Sequence, residues 1–140
     1  MRLLVDTNVY LEHLLGRERY DMARSFFQTA LSRKNQLLIT SMSLRDIEYL
    51  YHKKCHSKEQ TRKMLVAIYS MVYKVVSTSA DAAIESLFND AKDYEDSLQT
   101  IAAEEEMCDA IITFNKNDFK SSKVPVFTPQ ELLNIWKRCE

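Results

Sequence analysis

The sequence predicts an α/β fold: a three-layer α/β/α sandwich around a mainly parallel, five-stranded central sheet. Two observations support this prediction. Short apolar runs of strand length recur along the chain, and longer segments with apolar residues at helical spacing lie between them. Strands that alternate with helices are joined by crossovers. Crossovers of this kind build a parallel sheet that is covered on both faces, which explains apolar runs without polar alternation.

Five segments have the length and apolar character of buried strands. They are Arg2 to Val5, Leu37 to Thr40, Lys74 to Ser77, Ala110 to Phe114 and Val124 to Phe127. Runs such as Leu-Leu-Val in the first and Ile-Ile in the fourth are typical of parallel strands buried on both sides.

The segments between these strands have apolar residues three and four positions apart. Such stripes include Tyr20, Ala23, Phe27 and Ala30, then Leu44, Ile47 and Leu50, then Leu98, Ile101 and Met107. We expect Ser43 to cap the second of these helices and the third to run from about Asp96 through Met107. Ser57 with Gln60 has capping-box spacing, and Thr128-Pro129-Gln130-Glu131 predicts the start of a C-terminal helix.

The length and charge of the chain set limits on its organisation. A chain of 140 residues predicts a single domain spanning residues 1–140. The formal net charge is -1, so any nucleic-acid partner must be held by local basic groups and not by a strongly basic domain. Such groups include Arg17 with Arg19, Lys53 with Lys54, and Arg62 with Lys63, although most basic pairs only keep a helix face solvated.

Cysteine and glycine content exclude several classes of protein. The three cysteines form no Cys-x-x-Cys motif and follow no signal sequence, which favours a reducing, cytoplasmic location. No apolar run has the length needed to cross a bilayer, so we expect no membrane association. Gly16 is the only glycine, which excludes the glycine-rich loops of P-loop and Rossmann nucleotide-binding proteins.

Acidic and amide residues follow the predicted strands. Asp6 closes the first strand, with Thr7 and Asn8 in the same turn, and the carboxyl ends of parallel strands are where such folds bind ligands. Asp6 is equally well placed to cap the helix that begins near Val9. Glu48 lies at the margin of the stripe that contains Ile47, where it could face the crevice above the sheet or the solvent.

Two further segments add oxygen ligands. The densest acidic segment is Asp93-Tyr94-Glu95-Asp96, in which mutual repulsion would be relieved by a divalent cation. Asn115 and Asp118 follow the fourth predicted strand, where turn formation explains them equally well. Carboxylates gathered in one pocket would hold Mg²⁺ or Mn²⁺, which polarises a phosphate and lowers the pKa of an attacking water.

Taken in order, these motifs resemble the PIN-domain family, especially its toxin-like ribonucleases. Leu3-Leu4-Val5-Asp6-Thr7-Asn8 is similar to the family's opening, in which an apolar strand runs into Asp-Thr-Asn. Asp93-Tyr94-Glu95-Asp96-Ser97-Leu98 resembles the Asp-Phe-Glu-Asp-Ala-Leu segment of one subgroup. Thr113-Phe114-Asn115-Lys116-Asn117-Asp118-Phe119 resembles its Thr-Arg-Asn-x-x-Asp-Phe. The resemblance spans nearly the whole chain.

The resemblance implies a metal-dependent endoribonuclease that cleaves single-stranded RNA. It also implies the site residues. Asp6, Glu48 and Asp96 would be the central metal-binding carboxylates. Asp118 or Asn115 would take the variable fourth position, and Asn8 and Asp93 would support the site. Further implications are a homodimer and, for a toxin of a type II toxin–antitoxin pair, an antitoxin protein as partner. Phe114 departs from the family, because many relatives have arginine there, and Asn115 stands where aspartate is common.

Two alternatives remain open at the level of sequence. One is a catalytically inactive PIN-like module that binds RNA or protein and keeps the acidic pocket. The other is a phosphatase or receiver domain on a related sheet, which fits less well because Asp6-Thr7-Asn8 lacks the second aspartate of Asp-x-Asp-x-Thr. The nuclease hypothesis requires carboxylates that are distant in sequence to meet in one pocket.

Overall fold

The structure is a computed structural model that describes residues 1–88 and 94–140. It contains five strands: β1 (Arg2–Val5), β2 (Gln36–Thr40), β3 (Lys74–Val76), β4 (Ala110–Ile112) and β5 (Val126–Phe127). All the pairings are parallel, and the order across the sheet is β3-β2-β1-β4-β5. The predicted α/β/α fold with its five-stranded sheet is therefore confirmed, and β1 lies at the centre.

Helices connect and flank these strands. They are α1 (Thr7–Leu14), α2 (Tyr20–Ser32), α3 (Ser41–Cys55), α4 (Lys58–Met71), α5 (Ala80–Ser86), α6 (Tyr94–Glu105) and α7 (Pro129–Arg138), with a 3₁₀ helix at Lys116–Phe119. No helix in the two described stretches is both long enough and apolar enough to cross a membrane.

The apolar runs bury both faces of the sheet because successive side chains of a strand point in opposite directions. Leu3 and Val5 belong to a core formed with α1, α2, α3, α4 and α7. Leu4 belongs to a second core, formed with α6 and the 3₁₀ helix. Each of these three side chains is fully buried, and truncating one such leucine to alanine typically costs about 2 to 5 kcal/mol of stability.

Two of the three predicted helix caps are confirmed. The hydroxyls of Ser57 and Thr128 accept hydrogen bonds from the amides of Gln60 and Glu131, and Thr128 with Glu131 forms a complete capping box. The predicted cap at Ser43 is wrong. Thr40 caps α3 instead, and its hydroxyl accepts from the Ser43 amide at 3.0 Å. A hydroxyl three residues earlier than expected thus starts the helix directly at the end of β2.

Three predicted strands are shorter than expected: β3 by one residue, and β4 and β5 by two residues each. β4 stops at Ile112, and the Thr113 side chain is engaged with Asp6 at the strand end. β5 starts only at Val126, because Pro125 has no amide hydrogen to donate to a neighbouring strand. The shortened end of β4 lies beside the carboxyl end of β1, where the sheet stops and polar side chains begin.

Candidate functional site

Asp6 lies at the carboxyl end of the central strand, between β1 and α1. Its amide donates to the Ile112 carbonyl at 2.9 Å, which ties the turn to the neighbouring strand β4. Its side chain is only 4% exposed, which is unusual for an aspartate. A buried carboxylate requires specific polar partners, and these come from elements far away in the sequence.

The carboxylate of Asp6 accepts one hydrogen bond at each oxygen. Gln99 Nε2 donates to Oδ1 and Thr113 Oγ1 donates to Oδ2, both at 2.9 Å. Asp6 occupies the N-cap position of α1 and its carboxylate meets the backbone amide of Thr7, but the side chain does not make the N-cap hydrogen bond to the amides that follow in that helix. The capping explanation of Asp6 is therefore wrong. Through Gln99 and Thr113, this carboxylate connects the end of β1 to α6 and to the end of β4.

Burial and a neighbouring charge raise the pKa of Asp6. Loss of solvation is the largest cause, and the negative charge of Asp118 acts in the same direction. Hydrogen bonds from Gln99, Thr113 and the Thr7 backbone oppose the rise, because they stabilise the ionised form. Asp6 and Asp118 are 112 positions apart in the sequence, yet they lie close enough for their charges to interact.

Thr7, the residue after Asp6, connects the turn to α3 and α6. Its hydroxyl oxygen lies 2.7 Å from Ser43 Oγ and 3.0 Å from Glu95 Oε1. Ser43 in turn accepts a hydrogen bond from the Thr40 hydroxyl at 2.9 Å. These bonds hold the first turns of three helices around the carboxyl end of the sheet. Glu95, which the sequence does not distinguish within its acidic segment, is thereby part of the site.

Asp96 lies in the first turn of α6 and is 8% exposed. Gln99, three residues further on, shares its face of the helix, because residues three apart lie one above the other. Since Gln99 contacts Asp6, Asp96 is on the side of α6 that packs against the β1 end of the sheet. Asp93, the other predicted ligand of this segment, lies outside the described residues.

Asp118 lies in a pocket of about 490 Å³ beyond β4, which we call the Asp118 pocket. Its lining residues are Phe114, Asn115, Lys116, Asn117, Asp118 and Thr128. Asn115 is exposed at its rim, and its amide donates to Thr113 Oγ1 at 3.0 Å. The same threonine thus contacts Asp6 and supports the loop that carries Asn115 and Asp118.

A second pocket, of about 280 Å³, lies on the other side of the Asp6 turn; we call it the Thr7 pocket. It is lined by Thr7, Asn8, Asp46, Tyr49, Leu50 and Glu95, together with Leu11. Asn8, a predicted supporting residue, is exposed here. Asp46 was missed by the sequence analysis, and it supplies the carboxylate of α3 that faces this pocket.

Glu48 is not among the residues that line either of these pockets. It lines a third cavity, of about 330 Å³, between α3 and α4, together with His52, Lys58, Thr61, Arg62 and Leu65. Asp46 and Glu48 are two residues apart on α3, which turns their side chains about 200° from each other around the helix axis. Asp46, and not Glu48, is thus the α3 carboxylate that lines the Thr7 pocket.

The donor chemistry of the site fits a hard cation, although it forms no closed cage. Within residues 1–88 and 94–140, no three histidine, cysteine, aspartate or glutamate side chains form a group that could hold a metal ion. Mg²⁺ is commonly bound through only one or two carboxylates, with water and substrate phosphate completing its shell. The buried Asp6 beside the charge of Asp118 meets that requirement, because a cation there would relieve their repulsion.

Comparison with known families identifies the fold by sequence. Residues 2–117 match the model of a family described as the PIN domain. This chain belongs to the PIN-domain family. The match contains the Asp6 turn, Asp46, Asp96 and Asn115, and it stops one residue before Asp118. A comparison of the PIN-domain sequence with curated proteins gives no match.

Solved structures resemble this PIN domain over most of its length. VapBC2 from Rickettsia felis, bound to a DNA fragment from its promoter, is 18% identical with a TM-score of 0.67, covering 91% of this chain and 98% of that one. Mycobacterium tuberculosis VapC20, a toxin that cleaves the sarcin-ricin loop, is 17% identical with a TM-score of 0.67, over 87% and 95% of the two chains. A toxin–antitoxin complex from Klebsiella pneumoniae is 26% identical, with a TM-score of 0.65 over 91% and 97%.

Proposed function

We propose that this PIN domain is an endoribonuclease that uses Mg²⁺ or Mn²⁺ to cleave phosphodiester bonds of single-stranded RNA. The observation that carries the proposal is the Asp6 carboxylate. It is buried, held at both oxygens by Gln99 and Thr113, and destabilised in its charged form by Asp118. Buried carboxylates with a raised pKa are concentrated at functional sites. Because the candidate ligand atoms here are all oxygens, binding of a hard divalent cation is the function that fits them.

Asp6 and Asp96 are the proposed principal ligands, and Asp118 is a fourth ligand or orients water. A bound divalent cation would supply charge for the phosphate and a lowered pKa for an attacking water. The chain positions the ligands: Gln99 and Thr113 fix the orientation of the Asp6 carboxylate. Asn115, at the rim of the Asp118 pocket, faces the solvent from which the substrate arrives.

Asp46 takes the role that the sequence had suggested for Glu48. Its carboxylate lines the Thr7 pocket beside Glu95, whose own position is held by the Thr7 hydroxyl. A carboxylate here is placed to orient or deprotonate water at the edge of the site. Glu48, in the cavity between α3 and α4, has a histidine and two basic residues as neighbours, and we propose no chemical role for it.

The proposed biological setting is a toxin–antitoxin pair. VapBC2 of R. felis was solved bound to a DNA fragment from its promoter, the K. pneumoniae protein was solved as a toxin–antitoxin complex, and VapC20 is a toxin that cleaves the sarcin-ricin loop. By analogy, this single domain of residues 1–140 would act in the cytoplasm as a homodimer and be neutralised by an antitoxin protein. Purification of the chain co-expressed with its genomic neighbour would recover such a complex.

Cleavage of a short fluorescent single-stranded RNA tests the enzymatic proposal. The full-length protein should cleave it with Mg²⁺ or Mn²⁺ and lose that activity in EDTA. Asp6→Asn should reduce cleavage by more than about a hundredfold, beyond the loss expected when a residue only orients a ligand. Asp21→Asn, which removes an exposed carboxylate from α2, is the matched control and should cleave normally.

Two outcomes would contradict the proposal. Equal cleavage by the parent protein and by Asp6→Asn would show that the activity does not come from this site. Cation-independent RNA binding without cleavage, by a protein that folds normally, would favour the inactive binding module instead.

A further inference from the structure

One face of α3 combines an exposed aromatic residue with two exposed cations. Arg45, Tyr49 and Lys53 are four residues apart, so they lie along one broad side of the helix, about 6 Å from one to the next. All three are exposed, and the Tyr49 side chain is 62% exposed. Cations that alternate with an aromatic ring are what a single nucleic-acid strand requires: charge for its phosphates and a platform for a base.

Tyr49 also borders the Thr7 pocket, which distinguishes it from other exposed aromatic residues. Tyr69, on α4, is 58% exposed, but it lines none of the three pockets described above. Scattered exposed aromatics need no explanation of their own. The exposure of Tyr49 does require an explanation, because Tyr49 lies one helical turn from Asp46 and lines the same pocket as Asn8.

The lining of the Thr7 pocket suits a neutral ring better than a phosphate. Asp46 and Glu95 place two carboxylates in it, and these would repel an anion that arrives without a cation. Leu11 and Leu50 provide apolar walls, and the Asn8 amide provides a donor and an acceptor for the edge of a base. Its volume of about 280 Å³ is just below the range for drug-sized ligands, as expected for a single planar group.

We infer that the Thr7 pocket and the exposed face of α3 form a nucleotide subsite, in which one base of the RNA stacks on Tyr49 while Arg45 and Lys53 contact the flanking phosphates. The inference rests on the proposed function, because it specifies where the strand lies relative to the carboxylates. It places an unpaired nucleotide beside the cleavage site, which makes single-stranded RNA the preferred form of substrate.

RNA binding can be tested without cleavage by using the Asp6→Asn protein. Affinity for a short single-stranded RNA containing 2-aminopurine is measured by anisotropy, and stacking is measured by quenching of the 2-aminopurine emission. Adding Tyr49→Ala should weaken binding by roughly tenfold or more, the range for losing one stacking aromatic, and should abolish the quenching. Tyr49→Phe should retain both. Adding Lys53→Gln should reduce the salt dependence by about 0.7 in the slope of log K against log salt, while quenching persists.

Tyr69→Ala and Lys63→Gln on α4 are the matched controls and should bind as the Asp6→Asn parent does, because Tyr69 and Lys63 are also exposed but do not line the Thr7 pocket. The inference is overturned if Tyr49→Ala binds RNA as tightly as Tyr69→Ala. It is also overturned if Tyr49→Ala changes the oligomeric state and leaves RNA affinity unchanged, since the face would then be a protein interface. Undetectable RNA binding by the parent overturns it as well.

The inference and the proposed nuclease activity can fail separately. Tyr49-dependent stacking in a protein that never cleaves RNA would sustain the subsite and refute the nuclease. Normal cation-dependent cleavage by Tyr49→Ala, with unchanged KM, would sustain the nuclease and refute the subsite.

Discussion

Gln99 Nε2 donates a hydrogen bond to Asp6 Oδ1 at 2.9 Å, and the Gln99 side chain is fully buried. Its other amide atom, Oε1, is also buried and has no hydrogen-bond partner among the described residues. Burying the Gln99 amide while its oxygen has no partner costs free energy of folding. Stability therefore does not explain why this amide lies against Asp6. Orientation of the Asp6 carboxylate for a cation does explain it.

Replacing Gln99 with leucine should therefore impair activity more than folding. Cleavage should fall by about ten- to hundredfold, the range for residues that orient a metal ligand. Loss of the bond raises the pKa of Asp6 further, so the acidic limb of the pH–rate profile should move to higher pH. The Tm should fall at pH 7, because the buried Asp6 carboxylate loses a donor, and removal of the unpaired Gln99 acceptor offsets part of that loss. A profile that falls uniformly without moving along the pH axis would refute this role.

The raised pKa of Asp6 predicts that this carboxylate destabilises the fold at neutral pH. The folded state binds the Asp6 proton more tightly than the unfolded state does. The free energy of unfolding should thus decrease as pH rises from the ordinary pKa of an aspartate through the raised pKa of Asp6. Asp6→Asn removes the buried charge, so its Tm should rise at pH 7 and the gain should shrink in acid.

The same pair of proteins tests cation binding without an activity assay. Mg²⁺ should raise the Tm of the parent protein, by the equivalent of about 2.7 kcal/mol at a hundred times its Kd, and should leave Asp6→Asn unchanged. Asp21→Asn should respond as the parent does. An equal response of all three proteins would place the cation elsewhere.

Asp46 and Glu48 make opposite predictions on the same helix. Asp46→Asn should reduce cleavage by about tenfold or more, because its carboxylate lines the Thr7 pocket beside Glu95. Glu48→Gln should leave cleavage unchanged, because Glu48 lines the separate cavity with His52. Initial rates at saturating RNA, together with Tm to exclude unfolding, decide between them. The reverse ranking would restore the original expectation for Glu48.

The sequence alone does not distinguish Glu48 from Asp46 as the α3 carboxylate of the site. Both residues flank Ile47, so either one lies at the margin of the apolar stripe, and periodicity cannot distinguish the two sides of a helix. The position of the two residues along α3 does distinguish them. Because α3 starts at the carboxyl end of β2, Asp46 is nearer that end by about 3 Å of helix rise.

The role of Asp6 could not be predicted from the sequence either, because its hydrogen-bond partners come from distant segments. The sheet could be predicted because a buried strand shows its burial in its own residues, as Leu3-Leu4-Val5 does. Whether Asp6 capped α1 or served a site could not be decided locally, because its partners Gln99 and Thr113 come from α6 and the end of β4. The spacing of residues in a sequence does not predict hydrogen bonds between distant segments. Capping of α1 therefore explained Asp6 equally well.

The Arg19 guanidinium places a cation over the ring of Phe114. Phe114 stands where many PIN relatives have arginine, but the Arg19 guanidinium lies over its ring, 4.8 Å from the centroid, at the border of the Asp118 pocket. We expect Arg19 to contact a substrate phosphate, so Arg19→Ala should raise KM by about tenfold, equivalent to about 1.4 kcal/mol, with little change in kcat. Arg17→Ala, an equally exposed arginine two residues earlier, should leave both parameters unchanged. A fall in kcat with constant KM, or equal effects of the two substitutions, would show that the guanidinium over Phe114 does not bind substrate.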